Sequence, residues 1–193
     1  MTNTQTTMKL VTKPMNEAIE GKLTVWRTEG ALEDMALELS ADLTANGERL
    51  VVLDAAGCFD PSRISRAAAS VARNLHVIRA SHSSDLQGAL WPALQSAQQK
   101  SQARRLLIVG MLDHLYDRDI LTRDAARALG RMKLVLEALT RSGMEVVVVC
   151  KAERTELGAR TYLLSSLCAS ANEVHHWPLT TQQYIDGASA AIA

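Results

Sequence analysis

Four aspartates lead the residues that could do chemistry. Asp54 ends the aliphatic run LVVL, and Asp113, Asp117 and Asp119 crowd into a polar stretch after a second run, LLIV. If both runs are strands of one parallel sheet, these carboxylates gather at one edge, and grouped oxygen donors are what a hard divalent cation takes. The plainer reading has Asp54 capping a turn and the other three in solvent, and it is the expected one; a residual site built from Asp54 and Asp113 stays the open alternative. His175 and His176 are adjacent, but neighbours on a strand point to opposite faces and do not simply chelate one ion. Ser165, Ser166, the cysteines and the scattered histidines make no recognisable nucleophile-and-base set. Cys150, at a strand end, comes nearest to a nucleophile and is expected to be a buried thiol instead. No catalytic, cofactor-binding or metal-binding residue is assigned, and no cofactor is expected.

Cations give a better signal. Arg123, Arg127 and Arg131 recur every four residues, opposite the apolar stripe of their segment, so a helix there carries a line of guanidinium groups on one face. Such a line suits phosphates or an acidic partner. The bland alternative is a solvated face softened by Asp124 and Glu137.

The elements that must position these groups follow from hydrophobic spacing. The organising stretch is Arg104–Asp117, RRLLIVGMLDHLYD, in which Leu106–Val109 is an apolar run stopped by Gly110. Having no period-two alternation, it reads as a central strand buried on both faces. Ahead of it, Lys22–Arg27 reads as a first strand, Thr28–Gly30 as a turn, and Ala31 to about Asn46 as a helix with Leu32, Met35, Ala36, Leu39 and Leu43 inward. Leu50–Leu53 is a second buried strand. Asp60-Pro61 is expected to open a helix with Ile64, Ala67, Ala68 and Val71 on its core face. His76–Arg79 is a third strand, and Ser83–Gln102 a helix carrying Leu86, Leu90 and Leu94, kinked at Pro92. Beyond the central strand, Asp113–Leu121 reads as a polar loop. Thr122 or Asp124 caps a helix to Arg141, with Ala125, Leu129, Met132, Leu136 and Leu139 inward. Glu145–Cys150 is a fifth strand, Lys151–Gly158 a loop, Ala159–Ser170 a helix and Val174–Trp177 a last strand. This alternation predicts an α/β fold: a mainly parallel sheet with helices on both faces, and ligands or partners at the carboxyl ends of the strands.

Composition sets the bounds. At 193 residues, 47% hydrophobic and 22% charged, the chain suits one globular domain with a proper core. Residues 1–12 are expected to be flexible, and Gly187–Ala193 to be a tail that frays. Lysines and arginines number 21 against 21 acids, a net charge of zero, so no bulk field draws the molecule to nucleic acid or anionic membrane, and any such binding is local. Three widely separated cysteines without CxxC spacing argue against a disulfide framework and for a reducing compartment. No stretch approaches the roughly 20 apolar residues that span a bilayer, so the expectation is a soluble intracellular protein with no membrane partner.

From Leu50 onward the order of motifs resembles the RecA/RadA-type recombinase core, especially its paralogues. LDAAGCFDPSR (Leu53–Arg63) resembles the strand-end motif of Asp, Glu and Gly followed by Phe-x-Pro-x-Arg, and keeps Asp54, Gly57, Phe59, Pro61 and Arg63. ASHSSDL (Ala80–Leu86) resembles the family's Ala-x-Asn-Ser-Asp stretch, Leu106–Arg118 its second metal-site strand with the Leu-Tyr that follows, and Val146–Lys151 the strand that ends in Asn-Gln. With the looser first strand and helix, the resemblance covers most of the chain. It implies a RecA-like three-layer sandwich as a single domain over residues 1–193.

The departures carry the functional expectation. Nucleotide hydrolysis in such a fold needs a phosphate cradle with its lysine, ligands for magnesium and a carboxylate to orient water. Here the turn at the first helix reads RTEGALED, no GxxxxGK[ST] occurs anywhere, and Glu29, Glu33 and Asp34 put negative charge where a triphosphate would bind. The family's catalytic glutamate falls on Ala56, its metal-site aspartate on Gly110, and its sensing Asn-Gln pair on Cys150 and Lys151. These losses together imply a chain that is not an ATPase and not an enzyme. The resemblance implies an accessory or mediator subunit in homologous recombination and DNA repair, paired with another RecA-fold subunit or recombinase and touching single-stranded DNA. Such a chain would work in the cytoplasm at the nucleoid of a prokaryote, or in the nucleus of a eukaryote. The candidate DNA or partner contacts are Arg118, Arg123, Arg127, Arg131, Lys151, Arg154 and Arg160, with base stacking unsupported because no aromatics interleave them. The alternative is a RecA-fold regulatory or scaffold subunit of an assembly unrelated to DNA; a small-molecule enzyme rebuilt around Asp54 and Asp113 is the third reading.

Overall fold

Six stretches rich in β-branched and aliphatic residues take extended backbone: β1 (Leu23–Thr28), β2 (Arg49–Asp54), β3 (Leu75–Arg79), β4 (Ala103–Val109), β5 (Glu145–Lys151) and β6 (Glu173–Trp177). A computed structural model describes the chain over residues 21–63, 69–80, 88, 90, 103–152 and 160–177. The six strands form one sheet in the order β3-β2-β4-β5-β1-β6, and every pair is parallel. Between them run α1 (Leu32–Thr44), α2 (Ala69–Asn74), α3 (Thr122–Arg141) and α4 (Tyr162–Cys168).

β4 sits between β2 and β5, as its unbroken apolar run predicts. Alternate residues of a strand face opposite ways, so Leu106 and Ile108 enter one core while Leu107 and Val109 enter the other. All four are at most 1% exposed. The first core is closed by Ala125, Leu129, Met132, Leu136 and Leu139 of α3 and by Leu163 and Leu167 of α4. The second is closed by Leu32, Met35, Ala36, Leu39 and Leu43 of α1, and α2 lies against α1. Each large aliphatic side chain buried this way contributes about 1.5–3 kcal/mol.

Several local expectations shift. α1 ends two residues early, at Thr44, whose hydroxyl bonds back to the Ser40 carbonyl at 2.7 Å. The Asp60 carboxylate accepts the Ser62 amide at 2.9 Å and a 3-10 turn, Pro61–Arg63, follows it; the stretch in which the expected helix would continue to α2 lies outside the described residues. Val71 is buried as expected, whereas Ile64, Ala67 and Ala68 lie outside the described residues. So does most of the expected Ser83–Gln102 helix, with Leu86, Pro92 and Leu94; Leu90 is described and fully buried. Neither Thr122 nor Asp124 caps α3 through its side chain. The N-cap is Leu121, whose carbonyl accepts the amides of Asp124 at 2.8 Å and Ala125 at 3.0 Å. The expected polar loop 113–121 begins with a 3-10 turn, Asp113–Tyr116, because Leu115 is drawn fully into the first core. α4 is shorter than its expected span. The expected flexible start and fraying tail lie outside the described residues.

At the amino end of the sheet, Arg105 and Glu145 are register partners on β4 and β5 and form a buried ion pair at 2.8 Å. Arg105 also reaches Glu48 at 3.1 Å and the Leu43 carbonyl at 2.5 Å, tying the end of α1 to the sheet. Desolvation pushes the Glu145 carboxyl above its ordinary pKa, outweighing the pull of Arg105. Among the described residues no helix is long and apolar enough to cross a membrane.

Candidate functional site

After β2 the chain turns to α2 on one face of the sheet, and after β4 it turns to α3 on the other. Departures to opposite faces from neighbouring strands leave a crevice beyond their carboxyl ends, which is where ligands sit in open α/β sheets. The residues there are Asp54–Phe59 after β2 and Gly110–Asp113 after β4.

The chain's own atoms meet across the base of that crevice. The amides of Ala55 and Ala56 both donate to the Val109 carbonyl, at 2.9 and 3.2 Å, and the Gly110 amide donates to Val149 at 2.9 Å. Gly110 has φ +70, and a Cβ placed on it would lie 2.5 Å from the Ala56 Cβ and 3.0 Å from Asp113 Oδ2. Position 110 therefore abuts Ala56 and has no room for a side chain of its own. Asp54 is fully buried, accepting the Cys58 amide on Oδ1 at 3.2 Å and the Phe59 amide on Oδ2 at 3.1 Å. Arg79 Nε stands 3.9 Å from the same carboxylate. The Asp54 carboxylate is thus the acceptor of a turn, the plainer of its two readings. His114 meets the Ala80 carbonyl at 2.9 Å, closing the rim from the β3 side. Asp117 and Asp119 are exposed, and Asp117 Oδ1 accepts the Asp119 amide. Among the described residues, no group of three or more histidines, cysteines and carboxylates comes together.

The turn from β1 to α1 is equally short. Only residues 29–31 separate Thr28 from Leu32, and the Gly30 amide donates to the Thr28 hydroxyl at 3.0 Å. Glu33 and Asp34 in the first turn of α1 pair with Arg63 at 2.6 and 2.9 Å. A helix N-terminus attracts anions, and here carboxylates of the helix itself occupy that field.

Burial works against thiolate formation at all three cysteines. Cys150 is buried and its pKa is driven far up by desolvation. Burial also raises Cys58, to about 11, and Cys168. Ser166 meets Lys133, whose Nζ lies 3.2 Å from the hydroxyl and 3.1 Å from the carbonyl of the same serine. Through these contacts Lys133 ties α3 to α4. His175 and His176 diverge as expected: the first stacks on Trp26 with centroids 4.4 Å apart, and the second approaches Glu29 at 3.7 Å.

Of the cations singled out in the sequence, the structure brings three together. Arg123, Arg127 and Arg131 are exposed along one side of α3, with Asp124 3.7 Å from the first and 3.6 Å from the second. Arg118 is exposed on the loop after β4, and Lys151 is exposed at the end of β5. Arg160 is differently placed. Its guanidinium donates to the carbonyls of Leu115, Asp117 and Ile120, clamping the 113–121 loop. Arg154 lies outside the described residues. Two features escaped the sequence reading. One is an acidic stripe on α1, legible in principle as Asp34, Glu38 and Asp42 at four-residue steps. The other is the cluster of Trp26 with His175 and Trp177, which only the β1–β6 register assembles. In comparisons with known proteins, no family model and no curated protein matches the chain.

Proposed function

We propose that the chain is a non-catalytic RecA-type paralogue that works through its surfaces, as an accessory or mediator subunit in homologous recombination and DNA repair. Its partner in this reading is another RecA-fold subunit or recombinase, with single-stranded DNA as a further contact. One observation carries the proposal. At the crevice where an α/β sheet binds its ligand, the positions that would carry the catalytic glutamate and the metal-site aspartate are Ala56 and Gly110, packed so closely that a Cβ on the second would fall 2.5 Å from the first. A sheet kept intact around a crevice without these carboxylates is useful for what its outside binds. Arg123, Arg127 and Arg131 on α3, with Arg118 and Lys151 at the carboxyl edge, are the cations available to phosphates or to an acidic partner.

The alternative, a RecA-fold regulatory or scaffold subunit of an assembly unrelated to DNA, has its own support. Arg160 is engaged with three backbone carbonyls, which leaves the DNA reading with fewer cations at the edge. Titration of labelled single-stranded DNA at two salt concentrations separates the two, because phosphate contacts make affinity fall steeply with salt. Salt-sensitive binding that Arg127→Ala weakens is expected; no binding, with or without the captured partner, moves the assignment to the scaffold. Normal ATP turnover by the purified chain would overturn both.

A further inference from the structure

On the face of the sheet that α1 covers, three aromatic rings stand together at one flank. Trp26 of β1 and His175 of β6 are register partners, and their rings stack with centroids 4.4 Å apart and 25° between the planes. Trp177 meets Trp26 edge-on at 5.8 Å. α1 packs mainly over β2, β4 and β5, so these rings lie beside the helix instead of beneath it. Parallel sheets are ordinarily covered on both faces, and this flank is covered by no described helix.

Neighbouring strands run about 4.8 Å apart, close to the ring spacing, so the indole and the imidazole face each other across the β1–β6 gap. One side of the imidazole is taken by Trp26. The other looks outward past β6, the outermost strand of the sheet among the described residues, and the His175 side chain is 40% exposed. We propose that this outward side receives a base of single-stranded nucleic acid, extending the Trp26–His175 stack by one ring. The inference rests on the DNA contact of the preceding section and says where a base, as distinct from a phosphate, is held.

Two further observations favour a nucleic-acid strand as the occupant. The first is a cation on the same face. Val147 and Val149 of β5 enter the core on the α1 side, and the alternation of a strand puts Lys151, which is exposed, on that side too. Lys151 and Trp177 are both register partners of Thr28, two strand spacings or about 10 Å apart. A short run of nucleotides with one base on His175 therefore brings a phosphate within reach of Lys151. The second is that the acid beside the stack is already neutralised. Glu173 is paired with Lys22, and its carboxylate meets His175 Nε2 at 3.3 Å, which holds the ring in place against Trp26. Every base has a π-face, so a stack of this kind is tolerant of sequence. In the sequence no aromatic lies among the cations; the β5-β1-β6 register puts the two side by side.

The test compares two labelled oligonucleotides of equal length on the full chain by fluorescence anisotropy, one of deoxythymidine and one abasic, which keeps the phosphates and lacks the bases. The deoxythymidine strand is expected to bind tighter by about five- to a hundredfold for one stacked base. Raising salt should weaken both strands, because phosphate contacts are salt-dependent, and leave their ratio standing. His175→Ala is expected to bring the deoxythymidine strand down to the abasic one, and His175→Phe, which keeps a ring face, to preserve the difference; thermal unfolding checks that both variants are folded. Lys151→Ala should weaken both strands alike. Equal affinity for the two strands, or a ratio that His175→Ala leaves unchanged, overturns the stacking site. Should both strands bind alike and Arg127→Ala weaken them, the mediator reading survives without it; binding of neither strand overturns the stacking site and the DNA contact together.

Discussion

Gly110→Ala is expected to be among the more damaging single-methyl changes in this protein, and the reason divides into two measurable parts. At φ +70 an L side chain meets the following carbonyl, costing about 1–2 kcal/mol. The new Cβ also lies 2.5 Å from the Ala56 Cβ and 3.1 Å from the Ala56 amide nitrogen; overpacking of this kind adds roughly 1–3 kcal/mol. Gly57→Ala is the internal standard, because Gly57 has φ +66 and nothing within 4 Å of its would-be Cβ. It carries the backbone cost alone. Urea unfolding of both variants, with m unchanged, should place Gly110→Ala lower than Gly57→Ala by the steric share. Placing Ala56→Gly in the Gly110→Ala background removes the closest contact, and a double-mutant cycle should return a coupling of about 1 kcal/mol or more. Equal costs at positions 57 and 110, or no coupling, would refute the close packing of the crevice and remove the main support for a non-catalytic role.

Other outcomes follow from the same structure. Glu145 is an acid whose pKa is raised on folding, chiefly by desolvation, so the folded state binds its proton more tightly than the unfolded chain. Its contribution is fully present below the ordinary carboxylate range and is lost as pH rises through the raised value; Glu145→Gln should flatten that part of the stability profile in urea titrations compared across pH. Arg160→Ala frees the 113–121 loop, costing roughly 1–2 kcal/mol, and trypsin should then cut after the exposed Arg118 faster than in the wild type, as read by mass spectrometry. Gly130 lies in the exposed middle of α3 with open space around it, so Gly130→Ala should stabilise the fold by about 0.5–1 kcal/mol in thermal unfolding.

Much of the architecture was legible in the residues. Aliphatic runs without alternation, at Leu50–Leu53, Leu106–Val109 and Val146–Val149, mark strands covered on both sides, and the 3.6-residue spacing of α1 and α3 names their buried faces almost residue for residue. Local cap chemistry was less legible. Thr122 and Asp124 both stand where a cap is expected, yet the N-cap of α3 is Leu121 with no side-chain cap, since the backbone carbonyl can take the first amides by itself. The arginine stripe of α3 could be read from spacing alone, whereas Arg160 could not be told from a free surface cation, because its carbonyl partners lie 40 to 45 positions away.

What the chain determines by itself is periodicity: which residues form strands and helices, which sides of them are apolar, and which chemical groups are missing from every motif. That information is local, set by steps of two and of 3.6 residues. The tertiary structure alone decides adjacency. It brings Ala56 against Gly110, turns Asp54 inward onto two amides, stacks His175 on Trp26, and sets an acidic helix and a basic helix on opposite sides of one sheet. Strand order and register produce these meetings, and both come from packing the whole chain at once.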